Sequence, residues 1–140
     1  MAALDLIRVG RLTGDKNLEE KSFRLMQAFS GQVSRQPSAF PQLLIALDFG
    51  LGPSMEIVIA GAADAPGTRE LLKKVRARFL PNSVVALHPP GPEGESIEGL
   101  APFLKGQEMV GGKPTAYVCQ NYACTLPVNQ PEKLKELLSQ

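Results

Sequence analysis

The chain has 140 residues, of which 44% are hydrophobic and 21% are charged, and these values are typical of a globular domain rather than of a disordered segment. Fifteen basic and 14 acidic residues give a net charge of +1 without a basic block, which argues against nucleic acid as a partner. The apolar runs are far shorter than the ~20 residues that cross a bilayer, so no membrane association is expected.

The first fifty residues have helical periodicity. Gly14 is suited to end one helix in a left-handed conformation, and Asp15 is suited to cap the next. We therefore predict a helical hairpin of Leu4–Leu12 and Asn17–Ser34. Ser38 is predicted to cap a third helix, which has a proline in its tolerant first turn. The third helix is predicted to end at Gly50, Gly52 and Pro53. The second helix has its apolar positions on one face: Leu18, Leu25, Met26, Phe29 and Val33.

The period changes after residue 53. Met55–Ala60 is short, β-branched and nearly all apolar, as in a strand that is covered on both faces of a parallel sheet. Ser83–Leu87 and Thr115–Cys119 are two further predicted strands, and a helix begins at Pro66 between the first two. This β–α–β order favours a parallel crossover. The final helix is predicted to begin at Asn129 with a capping box.

These elements predict an α/β fold with a small, mainly parallel sheet of three or four strands flanked by helices, preceded by a three-helix segment. The predicted division is a helical segment at residues 1–52 and an α/β domain at residues 53–140. Pro89–Gly94 is predicted to be a rigid surface loop. Ile97–Leu104 is predicted to be a short helix or turn.

The leading helices have more apolar surface than a small sheet can cover. The first helix also begins inside its apolar pattern, at Ala2, so we expect a neighbouring protein segment that is not part of this chain. Because large apolar patches are rarely left bare, we predict self-association into a homo-oligomer through Leu4, Ile7, Leu43 and Leu47.

A ligand site is predicted at the carboxyl edge of the sheet. In open parallel sheets, ligands bind beyond the carboxyl ends of the strands. Those ends are Gly61, His88 and Cys119, so a glycine-rich loop, the one histidine and a cysteine are expected to share one edge. The alternative is that His88 only ends its strand and contacts the adjacent loop.

The loop from Gly61 to Thr68 precedes a helix, whose free amides could hold an anion. The loop matches neither the Walker pattern nor the dinucleotide G-x-G-x-x-G pattern. Asp64 has the wrong charge for a phosphate neighbour, and we predict that it caps the helix.

Cys119 and Cys124 are separated by four residues, whereas thioredoxin-type chemistry uses two cysteines that are two residues apart. Together with His88 they make three candidate zinc ligands, one fewer than a structural site needs. We therefore predict no metal site and no cofactor, with Cys119 as a small buried hydrophobe and Cys124 as a turn residue. Whether the two cysteines pair stays open. Two cysteines in an ordinary composition favour a reducing, cytoplasmic location.

Three stretches carry a family resemblance. Residues 116–127 read Ala-Tyr-Val-Cys-x-Asn-x-x-Cys-x-x-Pro, and Glu56–Gly61 and Gln36–Leu44 precede them in order. Together they resemble the C-terminal end of the thioredoxin-domain-containing family, which includes YyaL-like proteins and the animal spermatogenesis-associated protein. Cys119, Asn121 and Cys124 match motif positions of this family.

The resemblance implies a protein several times longer. It would have an N-terminal thioredoxin-like domain, then an α/α toroid similar to sugar epimerases and six-hairpin glycosidases, then this α/β domain. The helices before residue 50 would be the last of the toroid, and both missing domains would be partners of this one. The resemblance assigns no catalytic residue to this chain. We therefore expect a non-catalytic accessory domain. One alternative is a thiol or metal site at the cysteines. Another is a small-molecule site at the Gly61–Thr68 loop.

Overall fold

The computed structural model describes residues 1–139, so Gln140, the last residue of the predicted α/β domain, lies outside the described part. Four α-helices precede the first strand, and a 3-10 turn at Pro37–Ala39 separates the last two. Their bounds are α1 (Ala2–Thr13), α2 (Lys16–Ala28), α3 (Ser30–Arg35) and α4 (Pro41–Leu51). None of the helices in residues 1–139 is long and apolar enough to cross a membrane.

The junction between α1 and α2 is as predicted. Gly14 ends α1 with a φ of 73°, which is left-handed, and the Asp15 carboxylate accepts a hydrogen bond from the Asn17 amide. The predicted second helix is instead broken at Phe29 into α2 and α3. The prediction for Ser38 is wrong, because this residue lies inside the 3-10 turn and Phe40 occupies the N-cap of α4.

The sheet contains four strands in the order β2-β1-β3-β4. Strand β1 pairs in parallel with β2 and antiparallel with β3, and β3 pairs antiparallel with β4. The fold is thus α/β as predicted, but the sheet is mixed rather than mainly parallel. The bounds of the strands are β1 (Met55–Ala60), β2 (Ser83–His88), β3 (Thr115–Gln120) and β4 (Ala123–Cys124).

The direction of β3 follows from the segment before it. Helix α6 (Pro92–Leu100) and a 3-10 turn leave the carboxyl end of β2 and return to it, since the Gln107 carbonyl lies 2.7 Å from His88 Nδ1. Strand β3 therefore starts at the edge where β2 ends and must run back along β1. The predicted loop at Pro89–Gly94 is shorter than expected, because α6 already begins at Pro92.

Helices cover the two faces of the sheet. On one face, α5 (Pro66–Arg76) and α7 (Pro131–Leu137) pack on β1 and β3, and this cluster includes Ile57 and Leu134. On the other face, Leu104 of a second 3-10 turn (Pro102–Leu104) packs against Val58, Tyr117 and Cys119. The prediction that Asn129 caps the last helix is wrong, because Gln130 takes that position.

The helical segment has its own core and also contacts the sheet. Ile7 and Phe49 are fully buried in this core, and Val84 of β2 packs against it. Arg8 Nη2 donates to the Pro81 carbonyl at 3.0 Å, and Asn82 Nδ2 donates to the Asp48 carboxylate at 2.7 Å. Helices α1 and α4 are therefore both hydrogen-bonded to the two residues that precede β2.

The leading helices keep an uncovered apolar surface, and it includes only two of the four predicted residues, the exposed Leu47 and the partly buried Leu43. Leu4 and Ile7 are buried between α1 and its neighbours and cannot mediate self-association, whereas Leu47 is exposed. The reason is that α1 turns its apolar stripe toward α2 and α4. The exposed large apolar residues of α2 to α4 are Phe23, Phe29, Leu44, Ile45, Leu47 and Leu51.

Candidate functional site

The carboxyl edge of the parallel pair brings together two of the three predicted strand-end residues. The Gly61 amide donates to the His88 carbonyl at 3.0 Å, so β1 and β2 end side by side. Cys119 instead lies opposite Glu56, at the start of β1. Because β3 is antiparallel, its end is at the other edge, and the prediction that His88 and Cys119 share an edge is wrong.

His88 is buried and both of its ring nitrogens face oxygen. Nδ1 lies 2.7 Å from the Gln107 carbonyl, and Nε2 lies 3.0 Å from Glu98 Oε1. The ring therefore lies between two oxygen atoms, one from the backbone and one from a side chain of α6. The ring borders a groove of about 310 Å³, which is also lined by Gly94, Glu95 and Glu108.

The loop between Gly61 and Thr68 does not have the predicted capping arrangement. Asp64 is exposed, and Ala65 occupies the N-cap position of α5. The Thr68 hydroxyl is fully buried against Gly61 and, among residues 1–139, it has no hydrogen-bond partner. The hydroxyl therefore packs between α5 and the end of β1 and is not accessible to a ligand in solvent.

Cys119 and Cys124 form a disulfide bond across the β3–β4 hairpin. The sequence left open whether the two cysteines pair. Cys119 is buried, as expected of a small hydrophobe, whereas Cys124 is exposed and lies in β4 rather than in the turn. Asn121 and Tyr122 form the two-residue turn, and both have left-handed φ values, 51° and 63°. Such turns match the twist of a hairpin, which is why two residues connect the strands.

The disulfide adds modestly to the stability of the fold. The cysteines are five positions apart. Closing so short a loop restricts the unfolded chain only slightly, and the lost entropy stabilises the folded state by only about 2 kcal/mol at room temperature. The hairpin is also held by backbone hydrogen bonds, such as that from the Thr125 amide to the Val118 carbonyl at 2.9 Å. We therefore expect the fold to survive reduction of this bond.

A buried charged cluster lies beside the disulfide, and sequence reasoning missed it. Glu56 is fully buried, and its Oε1 lies 3.7 Å from Arg11 Nη1, while Arg11 Nε lies 3.5 Å from Glu19 Oε1. The Tyr122 amide donates to Glu56 Oε2 at 3.0 Å, and the Tyr122 hydroxyl donates to the Arg11 carbonyl at 3.1 Å. Arg11 Nη1 also donates to Asn121 Oδ1 at 3.3 Å. The one signal in the sequence was a glutamate inside an otherwise apolar strand.

Burial dominates the electrostatics of this cluster. It raises the pKa of Glu56, and the Tyr122 amide and the Arg11 charge offset only part of that rise. Burial also raises the pKa of Tyr122 to about 12, with a further contribution from the Glu19 charge. Both groups are therefore harder to ionise in the folded protein than in the unfolded chain.

The raised pKa of Glu56 predicts that stability falls as the pH increases. The folded state retains the Glu56 proton above pH 4.5, where the unfolded chain loses it, so this contribution is present at low pH and is lost as the pH rises through the folded pKa. Glu56→Gln is expected to remove this part of the pH dependence. Urea unfolding between pH 4 and pH 7 tests it, and equal slopes for the two proteins would contradict the prediction.

Known proteins match the chain over its whole length. It is 34% identical over 140 residues, 100% of the chain, to spermatogenesis-associated protein 20 of Rattus norvegicus, and 33% identical over 138 residues to the Homo sapiens protein of the same name. The chain is homologous to part of spermatogenesis-associated protein 20. The resemblance predicted from the sequence is thereby confirmed, and the chain spans 18% of the rat spermatogenesis-associated protein 20 and 17% of the human one.

Comparison with family models and with solved structures finds no further relative of this chain. The chain matches no family model, and no solved structure matches it. Within residues 1–139, no group of three or more His, Cys, Asp or Glu side chains is arranged to hold a metal ion. The described chemistry is therefore a histidine–glutamate pair at one edge of the sheet, and a disulfide beside a buried ion pair at the other.

Proposed function

We propose that this chain is a non-catalytic accessory domain that packs against the remainder of a longer polypeptide. The observation that carries the proposal is the uncovered apolar groove on α2, α3 and α4. The relatives are more than five times longer than the chain, which is in keeping with further protein being available to cover this groove.

The groove has the size and composition of a docking surface. It encloses about 380 Å³ and is floored by apolar side chains, including Phe23 and Leu47, with Gln27, Ser30 and Ser34 also in its lining. Apolar surfaces with polar surroundings mark sites of protein contact. The occupant that we propose is the helical toroid implied by the family resemblance, with α1 to α4 continuing its packing and residues 53–140 as the attached α/β domain.

Introducing negative charge into the groove tests this docking. In the isolated chain the exposed groove is expected to cause self-association, and Leu44→Asp with Leu47→Asp should give a monomer that no longer binds the separately produced remainder of the polypeptide. Sedimentation and titration calorimetry measure the two effects. The matched control is Leu100→Asp with Leu126→Asp, at leucines that are more exposed, 73% and 86%, and lie outside the groove.

Two results would count against the proposal. Binding of the remainder that is unchanged in the Leu44 and Leu47 variant would mean that the groove is not the docking surface. Robust reductase, glycosidase or epimerase turnover by the isolated chain would end the non-catalytic assignment.

A second candidate function is thiol–disulfide exchange at the Cys119–Cys124 hairpin. The observation that favours it is that Cys124 is an exposed residue, so the disulfide lies at the protein surface. We propose a cytoplasmic location for the protein. Because the cytoplasm is reducing, a disulfide there is usually transient, catalytic or redox-sensing. Thiol alkylation with mass spectrometry after exposure to a dithiol tests this candidate, and a pair that resists reduction in the folded protein would remove it.

A further inference from the structure

The disulfide lies directly beside the buried charges that join α1 to the sheet. Cys119 is opposite Glu56 in the β1–β3 register, and residues in this arrangement project from the same face of the sheet. The turn residues Asn121 and Tyr122 then hydrogen-bond to Arg11 and Glu56. The hairpin that the disulfide closes is thus the same hairpin that contacts α1.

We infer that the Cys119–Cys124 disulfide is a reversible lock on the junction between α1 and the sheet. Its reduction releases the turn at Asn121 and Tyr122 and weakens their hydrogen bonds to Arg11 and Glu56. The inference rests on the second candidate function, and adds to it the structural response that follows exchange.

The turn depends on this lock for two reasons. Strand β4 has only two residues and lies at the edge of the sheet, so backbone pairing holds it weakly. Tyr122 is also a bulky residue at a left-handed φ of 63°, a conformation that persists only where the surroundings impose it. The disulfide and the contacts with Arg11, Glu56 and Phe103 are those surroundings.

The ion pair depends on the turn in the same way. Arg11 Nε and Glu56 Oε1 are buried and, within residues 1–139, have no hydrogen-bond partner. The two side chains therefore meet loosely, and Glu56 takes its hydrogen bond from the Tyr122 amide rather than from Arg11. If the turn moves, a buried carboxylate loses the donor that satisfies it, and that loss is costly in a water-poor site.

The exchange step is balanced with a dithiol as the reductant. A thiolate of the dithiol attacks Sγ of Cys124, which is the exposed residue of the pair. The bond between the two protein sulfurs breaks, and Cys119 leaves with the electron pair and takes up a proton. The second thiolate of the dithiol then attacks the sulfur of its partner and releases Cys124, which is also protonated. The protein gains two electrons and two protons, and the dithiol becomes a disulfide.

Amide hydrogen exchange of the oxidised chain and of the chain reduced with dithiothreitol tests the inference. Reduction is expected to speed exchange at Tyr122 and in α1 by about tenfold, because both lose contacts that hold them closed. The amides of α7, which packs on the opposite face of the sheet, are the internal control and should not change. The double variant Cys119→Ala, Cys124→Ser should resemble the reduced chain and be indifferent to dithiothreitol.

A separate variant tests the path of the coupling. Tyr122→Phe removes the hydrogen bond to the Arg11 carbonyl, so α1 of the oxidised variant should exchange nearly as fast as α1 of the reduced wild-type chain. Unchanged exchange in α1, with alkylation showing complete reduction, would overturn the inference and leave the second candidate function standing. Resistance to reduction would overturn both. Loss of protection everywhere, α7 included, would mean that the disulfide holds the whole fold and would also overturn the inference.

Discussion

Gly94→Ala is expected to lower the free energy of unfolding by about 3 kcal/mol, because a methyl group at this position has no room. An added Cβ would overlap the Pro89 carbonyl oxygen and press on the His88 ring. The oxygen belongs to the backbone and cannot rotate away, so α6 must shift from the end of β2. Urea unfolding measures the loss, and we also expect the His88 Nε2 contact with Glu98 to lengthen.

A second glycine in the same helix is the matched control. Gly99 is exposed in α6, and nothing lies within 4 Å of the position of its added Cβ. Gly99→Ala should therefore stabilise the chain by about 0.5–1 kcal/mol, through the better helix propensity of alanine alone. Equal effects of the two substitutions would show that the contact between α6 and Pro89 is not as close as described.

Arg11→Met is expected to cost about 3 kcal/mol at pH 7, because it leaves the Glu56 carboxylate buried without its countercharge. Methionine keeps an unbranched apolar stem, so the loss isolates the guanidinium. The cost should shrink toward pH 4, where Glu56 becomes protonated and no longer needs the charge. Denaturant unfolding at the two pH values measures both effects.

The control for Arg11 is an arginine in an exposed ion pair. Arg24 Nη2 lies 2.6 Å from Glu20 Oε1, but both side chains are more than half exposed to solvent. Arg24→Met should change stability by less than about 0.5 kcal/mol, since surface pairs contribute little. A cost for Arg11→Met as small as that for Arg24→Met, or one that does not depend on pH, would contradict the role assigned to Glu56.

Local signals predicted the local structure well. The bounds of β1 are those expected from its β-branched apolar run, and Gly14 and Asp15 act as predicted because turn and capping chemistry needs only neighbouring residues. The same reasoning failed for Asp64 and Ser38. Their side chains suit a cap, but α5 begins at Pro66 and α4 at Pro41, so Ala65 and Phe40 occupy the N-cap positions.

The candidate site depended on information that is not local. The direction of β3 is decided by where the chain returns after α6, and the apolar pattern of Thr115–Gln120 is compatible with either direction. Placing Cys119 at the correct edge therefore required the tertiary path. The Arg11–Glu56 pair is similar, because its partners come from distant parts of the chain and share no sequence pattern.

The hydrogen bond from the Tyr122 hydroxyl to the Arg11 carbonyl joins residues that are 111 positions apart. During synthesis, α1 leaves the ribosome long before Tyr122 exists, and contacts of such long range form late because a large loop must first close. In the nascent helical segment Arg11 therefore has Glu19 as its partner, and its contacts with Asn121 and Tyr122 form only when the hairpin arrives. The contacts between α1 and the β3–β4 hairpin are consequently expected to be among the last that this chain forms.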